Sequence, residues 1–187
     1  MKFLIVGLGN PGVEYTNTRH NIGFKVLDAL LESSNTSFTD DRHVKIATIK
    51  HKGKSFHLIK PTTFMNLSGK AVNYWLQQLK IPVSNLLVVT DDIALPFGSL
   101  RMRGKGSDGG HNGLKDINAL LGHNNYARLR FGVGSDFSKG RQADYVLSNW
   151  DSEQESSLTE RLDQAKKMCL SFGAIGLAQT MSNFNGK

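Results

Sequence analysis

Two histidines lie in polar, glycine-bounded segments, where side chains from different loops can converge. His20 lies in the run Thr18–Gly23, and His111 lies in the run Gly109–Gly113. An apolar pattern of helical spacing begins at or just after each run, so each histidine is expected at the junction of a loop and a helix. Because histidine changes its charge near neutral pH, either one could take a proton from a reacting water molecule.

The other four histidines are expected outside any reactive site. A hairpin predicted around the turn His51–Lys54 places His51 and His57 opposite one another on solvent-facing strand positions. His43 and His123 lie in polar loops. No histidine has the H-E-x-x-H spacing or a comparable ligand pattern, so no metal site is expected.

Two acidic residues, Asp91 and Asp92, follow the apolar run Leu86–Thr90, which predicts a buried strand. A carboxylate at the end of a central strand is costly to bury unless it has a partner. One of the two could hold an imidazole in its productive tautomer and stabilise the imidazolium. The alternative is that both face solvent in a turn, and the spacing alone leaves both possibilities open.

The sequence gives little support for a covalent nucleophile. Cys169 is the only cysteine and lies on a predicted helix without a nearby histidine, and there is no G-x-S-x-G segment. A single cysteine excludes a disulfide framework and a cysteine-rich zinc site, and it is typical of a reducing cytosol. If the protein is a hydrolase, its residues favour water activated by a histidine–aspartate pair.

A glycine-rich loop, Gly7–Gly12, follows the first predicted strand and matches the pattern G-x-G-x-x-G. In a dinucleotide-binding fold the third glycine opens a helix, but here Pro11 precedes it and no helical pattern begins before about residue 21. The loop could instead bring the Asn10 side chain to the carboxyl edge of the sheet. The simplest alternative is that Asn10 only caps a turn.

The patterns that must position these residues alternate between strand and helix. They predict an α/β fold: a single domain, residues 1–187, with a twisted mixed β-sheet flanked by helices. The segment Ser33–Asp41 is expected to be a loop, and basic and apolar residues alternate in Arg128–Val133, which predicts one wet face. The predicted strands are Lys2–Val6, Val44–Ile49, Phe56–Lys60, Leu86–Thr90, Leu100–Arg103 and Arg128–Val133, and the predicted helices cover about 21–33, 67–79, 114–121 and 151–170.

The charge of the chain is concentrated in its middle. The net charge is +7, and residues 99–141 hold 8 basic and 3 acidic side chains, whereas residues 142–187 have a net charge of −2. This distribution predicts one face that meets a polyanion such as nucleic acid, the alternative being that the charge serves solubility alone. No apolar run approaches the roughly 18–20 residues of a membrane span, so a cytoplasmic protein without a membrane partner is expected.

Four ordered blocks of the sequence resemble the signature of bacterial-type peptidyl-tRNA hydrolases. They occur in the family's order within residues 7–115, and the segment Arg128–Gly134 extends the match. Four blocks in order are far more specific than any one of them. The blocks are Gly7–Gly12 followed by Tyr15 and Thr18–Gly23, then Lys60–Gly69, Asp91–Gly98 and Gly109–Lys115.

The resemblance implies cleavage of the ester that joins a peptide, or an N-blocked aminoacyl group, to the 3′-terminal ribose of tRNA. This reaction recycles tRNA from peptidyl-tRNA that ribosomes drop prematurely. By the resemblance, His20 is the general base that takes a proton from water, and Asp91 orients it and keeps it basic. Asn10 would lie beside His20 and help to distinguish a blocked amine from a free aminoacyl group. No metal or other cofactor is implied, and a monomer is expected.

The resemblance also implies a set of residues that hold the substrate. Asn66 and Asn112 would bind the peptide main chain, since an amide offers both a donor and an acceptor. Tyr15 and Phe64 would offer flat faces to a terminal base or to the peptide, although core packing is an alternative for Phe64. The phosphates of the acceptor stem and the 3′ CCA end would be bound by Arg103, Arg130, Lys139 and Arg141.

The sequence departs from the family pattern at two places. Ala94 stands where the family often has an acid, although the order of the motif favours Asp91 over Asp92 as the functional acid. The pair Ser107-Asp108 stands where the family has more glycine, which predicts altered loop flexibility. Two alternative functions remain at this point: an RNA-binding protein without turnover, and a dinucleotide-binding protein.

Overall fold

A seven-stranded mixed sheet forms the centre of the computed structural model, which describes residues 1–187. None of the helices combines the length and the apolar character needed to cross a membrane. The strands are β1 (Lys2–Gly7), β2 (Thr39–Asp41), β3 (Val44–His51), β4 (Lys54–Pro61), β5 (Leu86–Asp92), β6 (Leu100–Arg103) and β7 (Ala127–Gly132). The helices are α1 (Ile22–Leu31), α2 (Ser68–Gln78), α3 (Asn112–Leu121), α4 (Gln142–Val146), α5 (Ser152–Ile175) and α6 (Leu177–Phe184), and 3₁₀ turns cover Val13–Tyr15, Arg19–Asn21, Met65–Leu67 and Val83–Asn85.

The strand order across the sheet is β2-β3-β4-β1-β5-β7-β6. Strand β1 is parallel to β4 and to β5, and β5 is parallel to β7, whereas the outer pairs β2–β3, β3–β4 and β6–β7 are antiparallel. The four parallel strands therefore bring their carboxyl ends to one edge of the sheet. In open α/β sheets this edge is where ligands bind.

Two layers of helices cover the two faces of the sheet, and β1 shows how its sequence serves both. Its side chains alternate between the faces because a strand has a period of two residues. Phe3 and Ile5 join the core under α1 and α5. Leu4 and Val6 join the core under α2 and α3. This double burial explains why the central strands are continuous apolar runs.

The predicted elements are present, and the structure adds three that were not predicted. Strand β2 occupies the end of the segment Ser33–Asp41, which was expected to be a loop. The short helices α4 and α6 were also not predicted, and α5 continues to Ile175, beyond its predicted end at about 170. All three extra elements are short, and β2 and α4 contain no buried residue.

Two sequence predictions about side chains are wrong. The first is the pairing of His51 with His57 across the hairpin. His57 instead pairs with Thr48, and His51 pairs with Lys54, because the hairpin closes through the two residues Lys52 and Gly53. The wet face expected for Arg128–Val133 is also absent at its start, since Arg128 is fully buried. Its guanidinium donates to the carbonyl oxygens of Gly106 (3.1 Å), Asn124 (2.7 Å) and Tyr126 (3.3 Å), which replace water as partners.

Candidate active site

The loop after β1 and the start of α1 meet at the carboxyl edge of the sheet. They approach closely because both contact residues are glycines: a Cβ on Gly7 would lie 2.3 Å from the Gly23 carbonyl oxygen. A Cβ on Gly23 would lie 2.4 Å from the Leu8 nitrogen. This close contact places the segment that contains Asn10 beside the 3₁₀ turn that contains His20.

Asp91 lies at the end of β5 and joins the two histidines that the sequence singled out. One carboxylate oxygen, Oδ2, is 2.8 Å from His20 Nδ1, and the other, Oδ1, is 2.8 Å from His111 Nε2. The Asp91 side chain is 2% exposed and the His20 side chain 13%. The alternative that Asp91 faces solvent is therefore wrong, and its burial is compensated by two hydrogen bonds.

The hydrogen bonds around His111 determine its tautomer. His111 Nδ1 accepts from the backbone N–H groups of Gly113 (3.1 Å) and Leu114 (3.4 Å) at the start of α3. A nitrogen that accepts has no proton, so the proton of His111 is on Nε2 and is donated to Asp91. Thr90 Oγ1 lies 2.8 Å from the same Nε2. His111 therefore serves as the N-cap of α3 and as a fixed donor to Asp91.

His20 is oriented in the opposite sense. Its Nδ1 donates its proton to the carboxylate of Asp91, which leaves the lone pair on Nε2. Nε2 has no protein partner, and His20 lines the adjacent cleft. A neutral imidazole with a free Nε2 beside a cleft is the arrangement that a general base requires.

The electrostatics of the pair favour a strong base. Burial lowers the pKa of His20, but the charge and the hydrogen bond of Asp91 outweigh it and raise the pKa above the ordinary 6.5. Burial raises the pKa of Asp91, yet the charges and hydrogen bonds of His20 and His111 hold that pKa well below its usual range. Asp91 is therefore ionised near neutral pH and stabilises the imidazolium form of His20.

The same three residues have ligand atoms within 4.8 Å of one another, a spacing that a metal ion could bridge. Their hydrogen bonds do not fit a metal site. A neutral imidazole that binds a metal through Nε2 has its proton on Nδ1. At His111 that proton would face the N–H groups of Gly113 and Leu114. Metal binding through Nε2 would therefore break the N-cap of α3. That the protein needs no metal remains a prediction, which an activity assay with chelators can test.

Asn10 is held at the rim of this group by backbone and amide contacts. Its Oδ1 accepts from the Met65 N–H at 2.7 Å. Asn21 bonds both backbone groups of Asn10, accepting from its N–H and donating to its carbonyl oxygen, each at 2.9 Å. The Nδ2 group of Asn10 donates to no protein atom, so it is free to donate to a ligand in the cleft that Asn10 lines.

A cleft of about 990 Å³ opens beside His20, Asp91 and His111. It is lined by residues 64–67, by residues 107–112, and by α4 together with Leu147, the residue that follows α4. Three large apolar side chains at its surface are exposed: Phe64 (56%), Leu67 (50%) and Leu147 (42%). Exposed apolar side chains around a few polar groups are typical of a ligand-binding site.

The comparisons with known proteins agree with this geometry. Residues 4–187 match the family model for peptidyl-tRNA hydrolase. The chain belongs to the peptidyl-tRNA hydrolase family.

Named relatives match the whole chain. A peptidyl-tRNA hydrolase of Bacteroides fragilis is 55% identical over 100% of both chains, and one of Chlorobium phaeobacteroides is 42% identical over 98% of both. A crystal structure of peptidyl-tRNA hydrolase from Acinetobacter baumannii covers 98% of this chain and 94% of its own, with 34% identity and a TM-score of 0.90. The predictions of the family, the fold class and a hydrolase acting on peptidyl-tRNA are thereby confirmed.

Within this family fold, the cleft brings together seven of the predicted site residues. The alternative of a dinucleotide-binding loop is not supported, because no α-helix begins at the end of the Gly7–Gly12 loop and α1 begins only at Ile22. Phe64 is exposed in the cleft rather than packed in the core. The seven that line the cleft are His20, Asp91, Asn10, Phe64, Asn66, Asn112 and Arg130.

The other four predicted site residues do not line the cleft. Tyr15 is half-buried in the first 3₁₀ turn, and Arg103 on β6 donates to the neighbouring Met102 carbonyl oxygen. Lys139 is exposed next to the cleft residue Gly140, and Arg141 forms a 3.0 Å ion pair with Asp144. These residues could reach only a substrate that extends beyond the cleft.

Sequence reasoning singled out His111 but gave it no partner in the site, and it omitted two further residues that shape the site, Asn21 and Thr90. The glycine-bounded setting of His111 was a usable signal, because it marked a loop–helix junction like that of His20. Asn21 stood in the His20 run, but only the fold shows that it holds the Asn10 backbone. Thr90 gave no signal, being one β-branched residue in a buried strand.

Proposed function

We propose that this chain hydrolyses the ester between a peptide, or an N-blocked aminoacyl group, and the 3′-terminal ribose of tRNA, with His20 as general base. The observation that supports the proposal is the free Nε2 of His20, which lies at a cleft while Nδ1 donates to buried Asp91. The proposal assigns to these two residues the chemistry of the family to which the chain belongs.

The reaction needs one water molecule and no covalent intermediate. His20 Nε2 takes a proton from water, and the water oxygen forms a bond to the ester carbonyl carbon. The bond from that carbon to the 3′ oxygen of the ribose then breaks, and the imidazolium returns the proton to that oxygen. The products are tRNA with a free 3′ hydroxyl and a peptide with a free carboxyl group, which loses its proton to solvent. Asp91 stabilises the imidazolium while it exists.

Three asparagines are assigned to the peptide. Asn10 offers its free Nδ2 next to His20, where it can bind the acylated amine of the last residue. Asn66 and Asn112 are exposed in the cleft on separate segments, before α2 and at the start of α3. Amide groups recognise the peptide main chain whatever its side chains, which suits an enzyme that must accept many peptides.

The tRNA is assigned to Arg130 in the cleft and to three basic residues outside it. Arg130 lines the cleft, where its Nη1 is 3.7 Å from Asp92 Oδ2. Arg103, Lys139 and Arg141 lie outside the cleft and are assigned to phosphates of the acceptor stem and the 3′ CCA end, with Phe64 or Tyr15 beneath a base. Phosphate contacts do not read sequence, as binding of many tRNAs requires. We expect a monomer that acts in the cytoplasm, where ribosomes release the substrate.

Replacement of His20 by Ala tests the proposal. We expect release of an N-acetyl-aminoacyl group from tRNA to fall by about 10²–10⁴-fold, the usual contribution of a general base. Binding of a tRNA with its acyl group in a non-hydrolysable amide linkage should persist. The matched control is His57→Ala, on strand β4 and outside the cleft. Turnover retained by His20→Ala would contradict the mechanism, and tRNA binding without turnover by the wild type would favour a binding protein.

A further inference from the structure

Arg19, next to His20 in the chain, is a buried cation without a carboxylate partner. It is 6% exposed, and its hydrogen bonds go only to neutral acceptors. Nη1 donates to Ser148 Oγ (2.5 Å) and to the Tyr145 carbonyl oxygen (3.3 Å), and Nη2 donates to Gln154 Oε1 (2.9 Å). Burial of a charge that is held only by neutral groups has a desolvation cost, which these contacts must offset.

The side-chain hydrogen bonds and cation–π contacts of Arg19 all lead to one segment, residues 145–154. The guanidinium carbon lies 4.1 Å from the centre of the Tyr145 ring, and the Arg19 N–H donates to the Ser148 carbonyl oxygen at 3.1 Å. The adjacent Thr18 forms an isolated bridge with Asn149. These contacts fasten the segment to the turn that contains His20.

The start of this segment overlaps α4, which together with Leu147 forms one wall of the cleft, here called the α4 wall. Helix α4 has five residues and none is fully buried, and of these only Tyr145 packs against the hydrophobic core. Ala143, Val146 and Leu147 nevertheless line the cleft. Besides the contacts with Arg19, Tyr145 Oη donates to the Val133 carbonyl oxygen at 2.7 Å.

We propose that Arg19 is a positioning residue that holds the α4 wall of the cleft beside His20 and so governs affinity for the acyl end of the substrate. Arg19 shares no side-chain hydrogen bond with His20 or Asp91, so it acts on binding and leaves proton transfer unchanged. This inference rests on the proposed function for its substrate, but the fastening of α4 is a property of the fold alone.

Steady-state kinetics with N-acetyl-aminoacyl-tRNA test the first half of the proposal. Arg19→Met should raise KM by about tenfold, as expected for loss of several hydrogen bonds to a charged group, and leave kcat within about twofold. Arg19→Lys should lie between, because an ammonium cannot reproduce the planar fork. The control is Arg161→Met, which removes a guanidinium that donates to the Gly98 carbonyl oxygen. Neither Arg161 nor Gly98 lines the cleft. The KM of Arg161→Met should stay unchanged.

Limited trypsin digestion of the folded protein tests the second half without reference to activity. Lys139 and Arg141 are exposed beside α4, so release of the wall should speed cleavage after them in Arg19→Met but not in Arg161→Met. If Arg19→Met does not fold, Ser148→Ala removes one acceptor and keeps the charge, and a smaller shift in the same direction is expected.

A fall in kcat at unchanged KM, or unchanged cleavage after Lys139 and Arg141, would overturn the proposal. If the wild type lacks hydrolase activity, the proposed function fails and the digestion alone decides whether Arg19 fastens α4.

Discussion

Replacement of Asp91 by Asn changes one atom of the site and should reverse the tautomer of His20. His111 must still donate from Nε2, because its Nδ1 accepts from the start of α3. The asparagine oxygen will therefore face His111, and the asparagine NH₂ group will face His20 Nδ1. A nitrogen that faces a donor must accept, so the His20 proton moves to Nε2. The cleft then meets an N–H donor where it had a lone pair.

The size of the effect follows from what is lost. Without the correct tautomer the general base is absent, so we expect kcat to fall by about 10³-fold, or about 4 kcal/mol of transition-state stabilisation. Removal of the carboxylate also leaves burial as the main influence on the pKa of His20, so the acid limb of any residual activity should move to lower pH.

The assay is release of an N-acetyl-aminoacyl group across pH 5 to 9, with circular dichroism and thermal unfolding to confirm that the variant is folded. Asp92→Asn is the matched control, since Asp92 is the adjacent acid and bonds the Ala94 N–H rather than a histidine. Its kcat should change by less than about fivefold. Activity of Asp91→Asn within tenfold of the wild type, with an unmoved acid limb, would refute the tautomer argument.

Three further outcomes are expected. His111→Ala should lower the free energy of unfolding by about 1–2 kcal/mol in urea titrations, because it removes the N-cap of α3; a loss no larger than that of His123→Ala would contradict this role. The raised pKa of His20 means that the stability from the His20–Asp91 pair is complete below about pH 6.5 and is lost as pH rises through the raised value. The difference in free energy of unfolding between the wild type and His20→Ala should therefore shrink from pH 6 to pH 9, and a constant difference would count against the pair. Chelators should leave activity unchanged, and loss that zinc restores would mean that a metal is required.

The sequence was sufficient for the positions where chemistry and chain pattern coincide. Asp91 was predicted at the carboxyl end of a buried strand, and the parallel order of β1 and β5 brings that end beside the Asn10 loop. The ordered motifs then favoured a hydrolase over a dinucleotide-binding protein. The long-range partners of Asp91 could not be deduced from spacing, because His111 reaches it only through the packing of α3.

Other features depended on tertiary context that local patterns do not contain. Arg128 resembles a solvent-facing strand residue, and only the carbonyl oxygens of two neighbouring loops make its burial possible. The α4 segment has no buried face and no capping side chain, so it lacks the periodicity that predicts a helix. The position of His57 opposite Thr48 was missed because a two-residue turn shifts the register of the hairpin.

We propose that His20, held by Asp91, activates the water that hydrolyses the ester of a blocked aminoacyl-tRNA. The most direct measurement compares initial rates for one tRNA charged with the same amino acid, N-acetylated or free, in the wild type and in His20→Ala. We expect rapid release of the N-acetylated group by the wild type, much slower release of the free aminoacyl group, and loss of the first activity in the variant. Equal rates for the two substrates, or rates that do not depend on His20, would contradict this mechanism.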